Sequence, residues 1–197
     1  MSSVTAFILA GGKSSRMGRD KAFVPWEGHT LLERALELVG QITPNLRIVG
    51  ARSKFEKLGE VVEDIYPGRG PLGGIHAALC ATSTDLNLVL AVDLPYVTKA
   101  LLQYLVDQAQ NSQALVAVPR LADGWQPLCA VYRKGFATIA ESALREGRNA
   151  VHSLLESGTP RVFDEAELTQ AGFQARMFRN INTTMDLETA VDPAPPR

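Results

Sequence analysis

The stretch Val4-Thr5-Ala6-Phe7-Ile8-Leu9-Ala10-Gly11-Gly12-Lys13 decides the fold of this chain. Its first seven residues are almost all apolar, which predicts a strand that is buried on both faces of a sheet. The glycines that follow allow backbone N–H groups to approach a phosphate closely at the end of that strand. The loop beyond them holds four basic side chains against one acid, namely Lys13, Arg16, Arg19 and Lys21 against Asp20. This composition is typical of a site for a polyphosphate.

Two common phosphate-binding motifs do not fit this loop. A P-loop requires a glycine at the position of Phe7, and Lys13 breaks the glycine register of the dinucleotide fingerprint. The alternative is a solvated, glycine-rich surface loop with scattered charge. The coincidence of basic residues with a strand end favours a binding loop.

Outside this stretch, apolar runs of strand length alternate with segments of helical period. We predict strands at residues 4–10, 47–51, 60–63, 86–92 and 114–118, and helices at 30–42, 53–58, 73–82 and from Thr98 to about 110. This order predicts an α/β fold: a Rossmann-like, doubly wound, mostly parallel sheet with helices on both faces.

The pattern changes in the C-terminal half. Asp123-Gly124 supplies turn chemistry between residues 114–119 and 127–133, which predicts a small antiparallel excursion. Helices at 135–146 and 150–157, strands near 161–163 and 176–180, and a last helix from Thr184 complete the prediction. We expect one domain over residues 1–191 and a disordered, proline-rich tail over 192–197.

Composition excludes several classes of protein. The 197 residues carry 20 Lys and Arg against 21 Asp and Glu, so a basic nucleic-acid scaffold is not expected. No apolar run approaches the roughly 18 to 20 residues of a membrane span, and the N-terminus lacks a signal peptide. Cys80 and Cys129 stand in apolar runs and indicate two buried thiols in a reducing compartment. We therefore expect a cytoplasmic protein without nucleic-acid or membrane partners.

Two acidic residues stand at predicted strand ends. Ligands of open α/β sheets bind beyond the carboxyl ends of the strands, where Asp93 directly follows a buried run. A carboxylate there can hold Mg²⁺, which prefers carboxylate, phosphate and water oxygens. Asp93 could instead cap the next helix, but Thr98 is better placed to do so. Asp64 also follows a strand, and its spacing in the sequence fits a ligand-binding residue and a turn residue before Pro67 equally well.

Two further segments could contact a ligand. Residues 67–74, Pro-Gly-Arg-Gly-Pro-Leu-Gly-Gly, form a rigid segment without bulk before a helix, on which a large ligand could lie. The alternative is a long connection with helix-start signals. Asn180 and Asn182 occupy alternate positions of a predicted strand, so their side chains would point to the same side. There they could form hydrogen bonds with a heterocycle or a phosphate. They could equally form a turn and cap before the last helix.

Taken together, these motifs resemble the molybdenum cofactor guanylyltransferase family of nucleotidyltransferases. The matching segments lie in family order, at residues 9–12, 15–18, 20–21, 64, 70–74, 93–96, 126–128 and 180–183. The resemblance implies that GTP and a molybdopterin-type substrate react to form the guanine dinucleotide cofactor and pyrophosphate, with Mg²⁺ as cofactor. It also implies that molybdoenzymes or their chaperones receive the product.

The same resemblance implies roles for individual residues. It assigns nucleotide binding to Leu9, Ala10, Gly11, Gly12, Arg16, Lys21, Asp64 and Asp93, catalysis to Arg16, Lys21 and Asp93, Mg²⁺ to Asp93, and the acceptor to Gly73, Gly74, Gln126, Asn180 and Asn182. Three alternatives stay open. They are a related transferase that uses CTP, a guanylyltransferase for a sugar phosphate or phospholactate, and a non-catalytic nucleotide-binding module.

Overall fold

The first strand of the chain lies inside an eight-stranded sheet in the computed structural model, which describes residues 4–11 and 20–181. The strands are β1 (Val4–Leu9), β2 (Pro25–Trp26), β3 (His29–Thr30), β4 (Leu46–Val49), β5 (Val61–Val62), β6 (Leu86–Ala91), β7 (Val116–Leu121), β8 (Gly124–Trp125), β9 (Cys129–Arg133) and β10 (Arg161–Asp164).

Seven α-helices and two 3₁₀ helices accompany these strands in the described ranges. They are α1 (Leu31–Gly40), α2 (Arg52–Phe55), α3 (Gly70–Ala81), α4 (Lys99–Gln110), α5 (Phe136–Arg145), α6 (Val151–Ser157), α7 (Glu165–Gln170), and the 3₁₀ helices Lys21–Phe23 and Ala175–Phe178. Within residues 4–11 and 20–181, none of the helices has the length and hydropathy needed to cross a membrane.

The sheet has the strand order β10-β7-β9-β6-β1-β4-β5, and β8 pairs with β7. β1 runs parallel to both of its neighbours, β4 and β6. β9 runs antiparallel between β6 and β7, and β8 forms the hairpin with β7. The predicted α/β class, with a mostly parallel sheet and an antiparallel excursion in the C-terminal half, is confirmed.

The period of two along β1 explains why the whole run is apolar. Ala6 and Ile8 belong to one hydrophobic cluster, whereas Phe7 and Leu9 belong to a second cluster on the other face. Helices α1, α4 and α7 supply residues to the first cluster, and α3, α5 and α6 supply the second. With both faces covered, β1 and β6 are fixed in the centre, and their carboxyl ends meet at one edge.

Three predictions of local structure are wrong. The predicted strand at 176–180 is the 3₁₀ helix Ala175–Phe178, so Asn180 is exposed in a loop and does not lie on a strand. Helix α3 begins at Gly70 rather than at residue 73, because Pro71 is well suited to the first turn of a helix. Cys129 is buried as expected but Cys80 is exposed, because it stands near the C-terminal end of α3, beyond the buried residues 72–79.

Helix α7 and the β2–β3 hairpin are among the elements that were not predicted. Helix α7 has only six residues, and its signal is Asp164, whose side chain accepts a hydrogen bond from the N–H of Glu167 at 2.8 Å. The β2–β3 hairpin is closed by Glu27 and Gly28, which both have positive φ, as this turn type requires. The predicted last helix from Thr184 and the tail at 192–197 lie outside the described residues.

Candidate active site

A cleft of about 620 Å³ opens at the carboxyl edge of the central strands. This volume lies within the usual range of small-ligand sites. The residues that line it are Leu9, Ala10, Gly11, Lys21, Val49, Asp64, Gly68, Gly70, Pro71, Gly74, Ala91, Val92, Asp93 and Leu128. Seven of the predicted site residues are among them. The fold therefore brings these seven residues, which come from five separate segments of the chain, to the place where open α/β sheets bind ligands.

The end of β1 is fixed by backbone hydrogen bonds to both neighbouring strands. Leu9 O accepts from Val92 N at 3.1 Å, and Val49 O accepts from Ala10 N at 3.0 Å and Gly11 N at 3.2 Å. These two amides are therefore already used within the sheet. Ala10 and Gly11 give the cleft a close-packed wall, and a phosphate there needs other donors.

Lys21 and Asp93 form an ion pair inside the cleft. Lys21 Nζ lies 2.8 Å from Asp93 Oδ2, although the two residues are 72 positions apart in the chain. Their side chains are only 24% and 17% exposed, so the pair is partly shielded from water. Asp93 O also accepts from Ile181 N at 2.9 Å, which places the segment next to Asn180 against the end of β6. The predicted meeting of a cation and a strand-end carboxylate is present.

The described part of the cleft contains two carboxyl groups that could serve as ligands of a divalent cation. Asp93 and Asp64 both line the cleft, and the described residues contain no group of three or more His, Cys, Asp or Glu side chains that could hold a metal. Mg²⁺ takes only one or two protein carboxylates when substrate phosphates and waters complete its shell, so this donor set suits it. Although Asp64 is exposed as a residue, desolvation of its carboxyl raises the pKa above the ordinary value.

The residues assigned to the acceptor are placed differently from one another. Gly74 lines the cleft, and a Cβ there would lie 3.3 Å from Leu9 Cδ2. Gly73 is buried and does not line the cleft, because its Cβ position faces the Tyr66 carbonyl at 3.0 Å. Gln126 is half-buried, with its amide donating to Asp123 at 3.2 Å, two residues before the cleft residue Leu128. Gly12, Arg16 and Asn182 lie outside the described residues, and their roles stay predictions.

A smaller cavity of about 280 Å³ adjoins the cleft on the side of β4 and β5. It shares Ala10, Gly11 and Asp64 with the cleft, and its other lining residues are Asp20, Gly50, Ala51, Lys54, Phe55 and Glu63. Lys54 and Glu63 were not predicted as site residues. The available signal was the charge that follows the strand at 47–51, where Arg52, Lys54 and Lys57 stand within six positions.

The wall of the smaller cavity depends on a glycine. A Cβ on Gly50 would lie 2.6 Å from Phe55 Cε2, and the Phe55 ring is buried. We expect Gly50→Ala to lower the free energy of unfolding by about 1–3 kcal/mol, measured by urea denaturation, because the ring has to move. Phe55→Leu in the same chain should recover part of that loss. Gly40→Ala, with open space around its Cβ, is the matched control and should not destabilise. Equal stability of Gly50→Ala and wild type would contradict the close contact.

The sequence and the structure match known proteins over most of the chain. The profile of the MobA-like NTP transferase domain matches residues 6–162. A protein of Clostridium perfringens, named "Probable molybdenum cofactor guanylyltransferase", is 34% identical over 95% of this chain and 96% of its own length. The "Molybdenum cofactor guanylyltransferase" of Desulfosudis oleivorans is 31% identical over 96% of this chain and 95% of its own length.

A solved structure agrees with these matches. The chain is similar to the molybdopterin-guanine dinucleotide biosynthesis protein A of Archaeoglobus fulgidus, with a TM-score of 0.83 and 28% identity. The similarity covers 94% of this chain and 96% of that one. Sequence and fold thus point to the same group of proteins.

Proposed function

The chain belongs to the MobA-like NTP transferase family, and from this premise we propose that it transfers GMP from GTP to the terminal phosphate of a molybdopterin-type acceptor. The observation that carries the proposal is the ion pair between Lys21 Nζ and Asp93 Oδ2, 2.8 Å apart in the cleft at the sheet edge. The pair puts a cation and a carboxylate where a nucleoside triphosphate would meet them both. The products are the guanine dinucleotide form of the cofactor and pyrophosphate.

The reaction joins two anions and needs little covalent help from the protein. An oxygen of the acceptor's terminal phosphate attacks the α-phosphorus of GTP, a new P–O bond forms, and the bond to the bridging oxygen breaks as pyrophosphate leaves. Because the attacking phosphate is already anionic, no general base is required. The chain contributes position and charge, with the Lys21 ammonium beside the phosphates and Arg16 assigned to the same task by family resemblance.

Asp93 is the residue that would hold Mg²⁺ in this proposal, with Asp64 as the second carboxylate of the cleft. When bound, Mg²⁺ would neutralise charge on the phosphates and leaving pyrophosphate. Lys21 contacts Asp93 through Oδ2, so the carboxylate could take Mg²⁺ either through its other oxygen or by exchanging the Lys21 ammonium, which would then pair with the phosphates.

The deciding experiment measures pyrophosphate release from GTP and molybdopterin in the presence of Mg²⁺. We expect release that requires both substrates, and a guanine dinucleotide product identified by mass spectrometry. CTP in place of GTP should support turnover at least about tenfold less well, since a site built for one base leaves polar groups unpaired with another. Preferred use of CTP would replace the proposed donor, and no release with either nucleotide would refute transferase activity on this acceptor.

As part of the same proposal, the enzyme works in the cytoplasm and passes its product to molybdoenzymes or their chaperones. Both cysteines are free thiols, as is usual for proteins of a reducing compartment.

A further inference from the structure

Two separate contacts join the short helix α2 to the segment that carries Lys21. Lys54 Nζ lies 2.6 Å from Asp20 Oδ2. The rings of Phe23 and Phe55 stack with centroids 5.8 Å apart and an interplanar angle of 25°. Asp20 caps the start of the 3₁₀ helix Lys21–Phe23, and Phe23 is its last residue. Helix α2 therefore contacts this 3₁₀ helix at its beginning and at its end.

Asp20 divides its carboxylate between two partners. Oδ2 receives the Lys54 ammonium, and Oδ1 accepts a hydrogen bond from Ala22 N at 3.2 Å, which caps the 3₁₀ helix Lys21–Phe23. The two oxygens of a carboxylate are rigidly linked. A displacement of the ammonium on Oδ2 is therefore passed to the backbone that carries Lys21.

The charges explain why this pairing matters for Lys21. Lys21 stands next to Asp20 in the chain, yet its ammonium pairs with Asp93. The Asp20 side chain is only 23% exposed, so water solvates its carboxylate poorly. The Lys54 ammonium supplies the compensating positive charge. Without Lys54, the Asp20 carboxylate would lose this charge and, standing next to Lys21 in the chain, could draw the Lys21 ammonium away from Asp93.

We propose that Lys54 is a positioning residue for the transfer reaction: through Asp20 it holds Lys21 at the Asp93 edge of the cleft. This inference rests on the proposed function of Lys21 in GTP binding. The pair lies beside the cleft, since Lys54 and Asp20 line the smaller cavity together with the cleft residues Ala10, Gly11 and Asp64.

A double-mutant cycle separates positioning from direct contact with the nucleotide. We expect Lys54→Met and Asp20→Asn each to lower kcat/KM for GTP about three- to tenfold, the scale set by a half-exposed ion pair and a displaced cation. The double variant should lose no more than either single variant, because both act along one path. Lys54→Arg should recover most of the activity. The control is Lys57→Met, which removes an exposed ammonium just beyond α2 and should leave kcat/KM unchanged.

Additive losses in the cycle would overturn the proposal, since Lys54 would then act without Asp20. So would a Lys54→Met enzyme with the kcat/KM of wild type. Hydrogen exchange of the Ala22 amide, measured without nucleotide, tests the same link independently of any reaction. Faster exchange in Lys54→Met, but not in Lys57→Met, supports the positioning role. Unchanged exchange overturns it, whereas a wild-type enzyme that fails to release pyrophosphate refutes only the proposed function.

Discussion

Asp93→Asn should lower kcat for GMP transfer by about a thousandfold and change the affinity for GTP by less than tenfold. Asparagine keeps the shape of the side chain and removes the negative charge that would hold a divalent cation. Charge on the phosphates grows most in the transition state, so the loss should fall mainly on kcat. The measurement is pyrophosphate release at saturating GTP and acceptor over a range of Mg²⁺ concentrations. The Mg²⁺ concentration for half-maximal turnover should rise.

The substitution leaves the structural role of residue 93 in place. Its backbone carbonyl still accepts from Ile181 N, which joins the C-terminal segment to β6. The matched control is Asp107→Asn on α4, where an exposed carboxylate accepts from Gln103 away from the cleft. That variant should keep wild-type kcat. An Asp93→Asn enzyme with near-normal kcat at saturating Mg²⁺ would remove Asp93 from the catalytic group.

Most of the architecture could be predicted because burial on two faces leaves a mark in the sequence. The apolar runs that became β1 and β6 were predicted to within one residue at either end. Thr98 was correctly identified as the cap of α4, because its side chain bonds to Leu101 N. Helix α7 and the β2–β3 hairpin escaped prediction, since six and two residues are too few to show a period.

The site was predicted only where it follows from the sheet. Strand ends meet at one edge, so Lys21 and Asp93 could be expected near each other without a structure. Lys54 could not, because its partner Asp20 lies 34 positions away and no periodic pattern connects them. The prediction that Asn180 lies on a strand failed because the segment before it forms a 3₁₀ helix, whereas Asn182 lies outside the described residues.

Lys21→Met should lower kcat/KM for GTP by about a hundredfold to a thousandfold. The variant removes an ammonium from beside the phosphates. It also leaves the Asp93 carboxylate, 17% exposed, without the Lys21 charge that now faces it. GTP would then approach a site with less positive charge and a less compensated negative charge. Lys21→Arg keeps the charge and should recover part of the loss, although the guanidinium differs in shape from the ammonium.

The double variant Lys21→Met/Asp93→Asn distinguishes these two contributions. Without Mg²⁺, Lys21→Met should bind GTP more weakly than the double variant, because the remaining carboxylate repels the triphosphate only in the single variant. Calorimetric titration with GTP measures both affinities, and the Lys57→Met enzyme should bind like wild type. If the double variant binds GTP no better than Lys21→Met, Asp93 does not face the phosphates. The ion pair between Lys21 and Asp93 would then serve the fold rather than the nucleotide.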